Sequence, residues 1–208
     1  MSKRRLSRGK ILALIITAIL FLDQLSKIWI KTHFTLHESI HVIGNWFQIY
    51  FVENEGMAFG MVFGGETGKL ILSLFRIALS IFIMWYIVRL LKKPDTPMGV
   101  LVGLALVFVG AVGNIIDCAF YGLLFSESGL TQVARMFPPE GGYASFLHGK
   151  VVDMLYFPFI DTVLPDNFPI WGGRRFVFFQ FIFNIADSAI TCGALYLLIF
   201  KYKFFSKK

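Results

Sequence analysis

The sequence predicts an all-α polytopic membrane protein: four transmembrane helices with a small extracytoplasmic β-structure in the first outer loop. Three observations predict it. Of 208 residues 56% are hydrophobic and 16% charged, where a soluble domain carries nearer a quarter charged residues. Apolar runs of about 20 residues, the length that matches the hydrocarbon thickness, cover 11–30, 70–91, 99–121 and 176–200. The stretches between these runs alternate in charge. The whole chain, 1–208, reads as one membrane-embedded domain.

Lys3, Arg4, Arg5, Arg8 and Lys10 precede the first run, Arg89, Lys92 and Lys93 follow the second, and Lys201, Lys203, Lys207 and Lys208 follow the fourth. All lie on one side of a four-span topology, with Asp95 as the carboxylate among them. The opposite loops hold Glu38, Glu53, Glu55, Glu66, Glu127, Glu140, Asp161 and Asp166. Positive loops stay inside, so both termini are expected in the cytoplasm. The net charge of +7 therefore reports orientation, and no nucleic-acid partner is expected. Basic residues before the first run imitate a secretory signal, but no small-residue cleavage site follows. An uncleaved first helix is expected. Cys118 and Cys192 lack a CxxC spacing, which argues against a disulfide framework or a zinc knuckle.

The first outer loop, 31–69, contains "GNWFQIYFVENEGMAFGMVFGG". Its aromatic and β-branched content predicts short strands across Trp46–Phe63. The second outer loop, 122–175, carries the breakers "PPEGG" and "LPDNFP". Gly99, Gly103, Gly110 and Gly113 make the third run suited to close helix packing.

Five stretches place polar residues among apolar ones. "FLDQLSKIW" sets Asp23 and Lys27 one turn apart, the acid first, which is the better order for a helical pair. It reads equally as a structural ion pair. "VENEGMAFG" offers Asn54 beside a Gly-bearing turn, "GAVGNIIDC" buries Asn114 and Asp117 on one helix face, and "KVVDMLYF" sets Asp153 among apolar neighbours. "FNIADSAI" places Asn184 and Asp187 three apart within the fourth run. A charge at mid-bilayer costs about 3 kcal/mol on insertion scales, which makes such residues functional candidates. These polar groups gather in the outer half of the spans. A proton or ion pathway needs them through the whole thickness, so a site opening to the outer leaflet is the better reading.

No metal or cofactor is expected. His33, His37 and His41 have the spacing of a helical ligand face, but Thr32, Thr35, Ile40 and Val42 disfavour a helix there and no HExxH pattern occurs. No Ser or Cys has a recognisable His base. Paired carboxylates remain, and they have a mechanism. Two ionised Asp about 4 Å apart repel by roughly 4 kcal/mol at an effective dielectric of 20, which separates their titrations by roughly 3 pH units. One proton is then shared near neutral pH. The charged member deprotonates water while the neutral one donates to a carbonyl oxygen. A partner that shares its proton accounts for Asp187 in apolar surroundings.

The set "DQLSK", "NEGMAFG", "GAVGNIID", "VVD" and "FNIADSAI", in this order across nearly the whole chain, resembles the lipoprotein signal peptidases, or signal peptidase II. The resemblance implies an aspartic endopeptidase of the bacterial inner membrane that removes the signal peptide from diacylglyceryl-modified prolipoproteins, cutting before the lipidated Cys. It implies that Asp153 and Asp187 form the catalytic dyad. It further implies that Asp23, Lys27, Asn54, Gly56, Asn114, Asp117, Asn184 and Ala186 bind substrate or shape the site. Membrane lipids and globomycin-type cyclic-peptide inhibitors are implied partners. In two respects the chain departs from the family pattern. Cys118 stands where the family carries Arg, directly after the "GNxxD" aspartate, and 123–150 reads as an insertion. Arg135, Lys150, Arg174 and Arg175 are candidate replacements, led by Arg174 and Arg175 at the outer mouth of the helix carrying Asp187. The competing class is a non-enzymatic transporter or scaffold that uses its Asp residues as structural ion pairs.

Overall fold

A computed structural model describes residues 6–55 and 65–206. Helix α1 (Arg8–His33) begins where Ser7 accepts a hydrogen bond from the Lys10 amide, satisfying one of the orphan donors of a first turn. It ends at Phe34, whose extended backbone still donates to the Ile30 carbonyl. Strands β1 (Ser39–Ile43) and β2 (Phe47–Asn54) form a hairpin that turns at Gly44, with φ of +50°, where a side chain would be strained. Helices α2 (Gly65–Leu91) and α3 (Met98–Ile116) are joined by a short Pro-bearing turn, with Pro97 capping α3. A π-helical turn (Asp117–Tyr121) carries α3 on into the single turn α4 (Gly122–Leu124). After a long loop come β3 (Val151–Tyr156), β4 (Ile160–Val163), β5 (Arg175–Phe178) and β6 (Ile182–Phe183). Helices α5 (Ile185–Phe200) and α6 (Tyr202–Ser206) close the chain.

Arg8–His33, Thr67–Leu91 and Met98–Leu124 are long and apolar enough to cross a membrane. Helix α5 is shorter, at 16 residues. The expected fourth span over 176–200 is thereby corrected, because it is helical only from Ile185. Aromatic and β-branched residues before that point pair as strands, β5 with β4 and β6 with β3. A continuous apolar run fits a buried strand as well as a helix, and periodicity alone does not separate them. In the first outer loop the strand expectation holds over Phe47–Asn54, with β1 as its partner. Residues 56–63 of that expectation, Gly56 included, lie outside the described residues.

The larger sheet is antiparallel in the order β1-β2-β3-β6. Val52 pairs with Asp153 and Asn54 with Val151, while Leu155 pairs with Phe183, next to Asn184. This register brings the end of β2, the middle of β3 and the start of α5 to one place. Below it, Ile83, Ile87 and Leu90 of α2 pack with Leu12 of α1 and with Val100, Leu101, Leu104 and Ala105 of α3. Helices α3 and α5 approach more closely still. A Cβ at Gly110 would lie 2.2 Å from the Ala186 carbonyl oxygen, and one at Gly193 would lie 2.7 Å from that of Gly103. The outward faces are apolar, with Leu14, Phe21, Ile71, Phe75, Phe82, Leu195 and Leu198 exposed, while Asp23, Lys27, Asn114 and Asp117 are buried. Apolar outside and polar inside is the arrangement lipid requires. The chain is a helical membrane protein with a small sheet.

Candidate active site

The site rests on a buried ion cluster. Helix α1 places Asp23 and Lys27 one turn apart, and Lys27 Nζ lies 3.0 Å from Asp23 Oδ2 and 2.8 Å from Asp117 Oδ2. The three side chains are essentially inaccessible. Buried charges persist only when paired and hydrogen-bonded, and here every remaining oxygen has a donor. Gln24 Nε2 donates to Asp23 Oδ2 (3.1 Å) and Asp117 Oδ1 (3.0 Å). The Val152 amide donates to Asp117 Oδ2 (3.3 Å), and the Ala186 amide to Asp23 Oδ1 (2.8 Å). The Tyr121 hydroxyl donates to Gln24 Oε1 at 3.2 Å. One cluster thus ties α1 to α3, β3 and α5. Asp117 opens the π-helical turn, a local widening that often marks functional positions in helices.

Asp187 belongs to the first turn of α5, where it forms a reciprocal cap with Asn184. Asn184 Oδ1 accepts from the Asp187 amide at 2.8 Å, and Asp187 Oδ2 accepts from the Asn184 amide at 3.4 Å. Asp187 Oδ1 also accepts from Asn114 Nδ2 at 2.7 Å. On β3, Asp153 Oδ1 accepts from Asn184 Nδ2 at 2.7 Å and Oδ2 from Asn54 Nδ2 at 3.3 Å. Both bridging amides have their orientation set by their other end. Lys27 Nζ donates to Asn114 Oδ1 at 3.0 Å, so the Asn114 amino group must face Asp187. The Asn184 oxygen caps α5, so its amino group faces Asp153. That amino group also lies 3.2 Å from Asn114 Oδ1 and 3.3 Å from the Val152 carbonyl.

The two carboxylates differ in surroundings. Asp153 is 3% exposed on a strand outside the membrane-spanning helices. Burial first, and then the charge of Asp187, push its carboxyl up to about 7, against the hydrogen bonds from Asn54 and Asn184. Asp187 is only half-buried and lies in the first turn of a helix. Such a pair can hold one proton at neutral pH.

The structure brings Asp23, Lys27, Asn54, Asn114, Asp117, Asp153, Asn184, Ala186 and Asp187 into this one hydrogen-bonded assembly. Arg174 and Arg175 do not join it in any described contact. Arg175 makes a two-pronged pair with Asp161, at 2.7 and 2.5 Å across the β4–β5 hairpin, and Arg174 is exposed. Arg135 lies in the 125–150 loop, and Lys150 Nζ approaches Glu53 (3.8 Å) and Glu55 (4.0 Å). Cys118 is buried. Sequence reasoning missed Gln24, although it stands inside a quoted motif. It also missed a second buried pair, Lys31 with Glu53, which Ser128 joins at 2.9 Å from Lys31 Nζ and 2.7 Å from Glu53 Oε1. A Lys at the end of an apolar run reads as a snorkelling anchor, so nothing local pointed to that pair.

Residues 15–203 match the family described as Signal peptidase (SPase) II. A lipoprotein signal peptidase of Porphyromonas gingivalis is 48% identical over 195 residues, covering 94% of this chain and 84% of that protein. One from Amoebophilus asiaticus is 34% identical over 182 residues, covering 86% of this chain and 72% of its own. A bacterial membrane enzyme solved by the in meso method at 2.3 Å resolution has the same fold, with a TM-score of 0.58 at 24% identity over 96% of this chain and 92% of that one. With a family match along nearly its whole length and a relative close to half identical, the chain belongs to the signal peptidase II family of proteases.

Proposed function

We propose that this chain is an intramembrane aspartic endopeptidase that removes the signal peptide from diacylglyceryl-modified prolipoproteins, cutting before the lipidated Cys, with Asp153 and Asp187 as its catalytic dyad. The observation that carries the reading is the asymmetric carboxylate pair. Asn184 donates to Asp153 and caps the helix turn that holds Asp187, while Asn114 donates to Asp187. In the resting pair Asp153 keeps the proton, because it is the more buried, and Asp187 carries the charge at its helix N-terminus. Asp187 draws a proton from water as the water oxygen adds to the scissile carbonyl carbon. Asp153 donates to the carbonyl oxygen. Collapse of the tetrahedral adduct re-forms the carbonyl as one hydroxyl returns its proton to Asp153, the C–N bond breaks, and the leaving amine takes the proton from Asp187.

The remaining roles follow. Asp23, Lys27 and Asp117 hold Asn114 in register, Asn54 and Asn184 orient Asp153, and Gly56 and Ala186 shape the site. We place the chain in the bacterial inner membrane with four spans, α5 being the short fourth, and with both termini cytoplasmic. The dyad then faces the extracytoplasmic side, under the β1–β2 hairpin, within reach of a substrate anchored in lipid and of globomycin-type cyclic peptides. The charge asymmetry of the loops supports this orientation.

The test is cleavage of a diacylglyceryl-modified precursor peptide by detergent-purified protein, read as appearance of the shorter product. Asp153→Asn and Asp187→Asn should each lose about 10²–10⁴-fold or more in turnover. The double variant should be little worse, since a catalytic pair acts as a unit. Substantial turnover by Asp187→Asn would refute the mechanism.

A further inference from the structure

Helix α1 buries two lysines, Lys27 and Lys31, one turn apart on the same face. Lys27 orients Asn114, which donates to Asp187. Lys31 serves a second buried cluster, which the mechanism above does not use. It pairs with Glu53 of β2. The Ser128 hydroxyl bridges the two, accepting from Lys31 Nζ at 2.9 Å and donating to Glu53 Oε1 at 2.7 Å. Lys150 Nζ lies 3.8 Å from the other Glu53 oxygen. Tyr143 closes the cluster, with its ring centre 4.9 Å from Lys31 Nζ and its hydroxyl accepting from the Lys150 amide at 2.7 Å. Ser128, Tyr143 and Lys150 all belong to the 125–150 loop.

Successive residues of a strand face opposite sides. Asn54 faces Asp153 and donates to it, while Glu53 and its cross-strand partner Val152 face the core around Ile30, Phe34 and Phe51. The Val152 amide is already tied to Asp117, so β3 is fixed to the first ion cluster. Strand β2 needs a tie of its own. A carboxylate and an ammonium at core positions are a poor source of stability, because an apolar pair of similar volume does as well or better. What a directional buried pair supplies is a unique register. Register is at stake here, since the pairing of β2 with β3 is irregular between Ile49 and Val52. A slip by one residue turns every side chain to the other face. Asn54 would leave Asp153, and the Glu53 carboxylate would take its place.

We propose that Lys31 and Glu53 are positioning residues of this enzyme, a register pin that acts through Asn54 to hold its amide on Asp153, with the 125–150 loop as the cover that keeps the pin dry. Helix α1 then sets both amide donors of the dyad. Lys27 fixes Asn114 on Asp187, and Lys31, ~6 Å further along the same helix, fixes Asn54 on Asp153 by way of Glu53.

This inference rests on the proposed dyad, and the experiment separates the two. Wild type, Glu53→Gln, Ser128→Ala and the apolar triple variant Lys31→Met/Glu53→Leu/Ser128→Ala are assayed on a fluorescent diacylglyceryl lipopeptide across pH, with the thermal midpoint of each recorded. Glu53→Gln should lower kcat about tenfold, the scale of one hydrogen bond to a charged group, with KM within about threefold. Its alkaline limb should move up, because the Asn54 hydrogen bond that opposes the upward push on Asp153 is lost. The charged groups that act on Asp153 are Asp187 of α5 and Lys27 of α1, and neither is altered. Removing a negative charge near Asp153 would by itself move the limb down, so the direction identifies the cause. Ser128→Ala should shift kcat and the limb the same way, by about threefold in kcat. The triple variant should keep or raise the midpoint yet show the lowered kcat and the raised limb. Wild-type kcat and limb in the triple variant overturn the proposal, since the pair would then be structural only. So does a limb that stays or falls in Glu53→Gln. If neither of these variants is recovered folded, an unmoved limb in Ser128→Ala overturns it instead. Amide hydrogen exchange reads the register without catalysis. It should quicken over 47–54 and 151–156 in Glu53→Gln and stay as in wild type over α1, and unaltered exchange in the strands also overturns the pin. Absence of cleavage by wild type would overturn the peptidase reading, and exchange would still decide whether the pin holds β2.

Discussion

Asp153 shows how one carboxyl links site and stability. Its carboxyl is pushed up to about 7 by burial and by Asp187, against about 3.9 when unfolded. Between those values the folded chain binds a proton that the unfolded chain has released. Stability from this group is therefore greatest below about pH 4, falls as pH rises toward 7, and is flat above. Asp153→Asn, neutral at every pH, should remove that slope. Thermal midpoints in detergent from pH 4 to 8 test it, and an unaltered slope would refute the assignment. If Asp153 is the general acid as proposed, the same titration should give kcat/KM an alkaline limb near pH 7, where Asp153 loses its proton. "FNIADSAI" already marked Asp187, because a carboxylate in an apolar run is costly. The reciprocal cap with Asn184 was not legible as such, since the run reads as uninterrupted helix and hides where α5 begins.

At the scale of elements, the contact of α3 with α5 sets the hydrogen bond from Asn114 to Asp187. Gly110 lies against the Ala186 carbonyl, and a Cβ there would approach it to 2.2 Å. That neighbour is backbone and cannot turn aside. Gly110→Ala should therefore cost about 1–3 kcal/mol as overpacking. It should also reduce turnover in the fraction that remains folded, because Asn114 sits one turn further along and would move off Asp187. Thermal midpoint and cleavage per folded molecule measure the two effects. Normal turnover with a normal midpoint would mean the close approach is not what positions Asn114. The four glycines of this helix were readable as a packing face from sequence. Their partner was not, because small residues permit an approach without naming what approaches. The strands at Arg175–Phe178 and Ile182–Phe183 were misread for a related reason, since their partners lie in β4 and β3, far away in the chain.

At the scale of the whole molecule, the proposed orientation rests on charge. Cations flank the ends of α1, α2 and α5 that lie opposite the sheet, while carboxylates gather in the loops that carry it. A reporter active only outside the cytoplasm, fused after Lys208, should stay silent, and a cytoplasmic fluorescent reporter at the same place should be bright. The opposite result would put the dyad on the wrong side for an extracytoplasmic substrate. The 125–150 loop is fastened to this frame through Ser128, which meets Lys31 of α1 and Glu53 of β2, and Lys31 lies 4.9 Å from the Tyr143 ring centre. This places a buried ion pair one residue before Asn54.

The sequence by itself determined that the chain lives in a membrane, and which carboxylates and amides are out of place among apolar neighbours. Each is a sum of local transfer energies, read one segment at a time. Only the tertiary structure decided that Lys27 serves Asp23, Asp117 and Asn114 at once. It alone decided that Asn184 touches Asp153 while capping the turn of Asp187. Those contacts join residues far apart in the chain, and their geometry is set by how closely α3 and α5 pack and by the register of β2 on β3. Local composition carries no record of either.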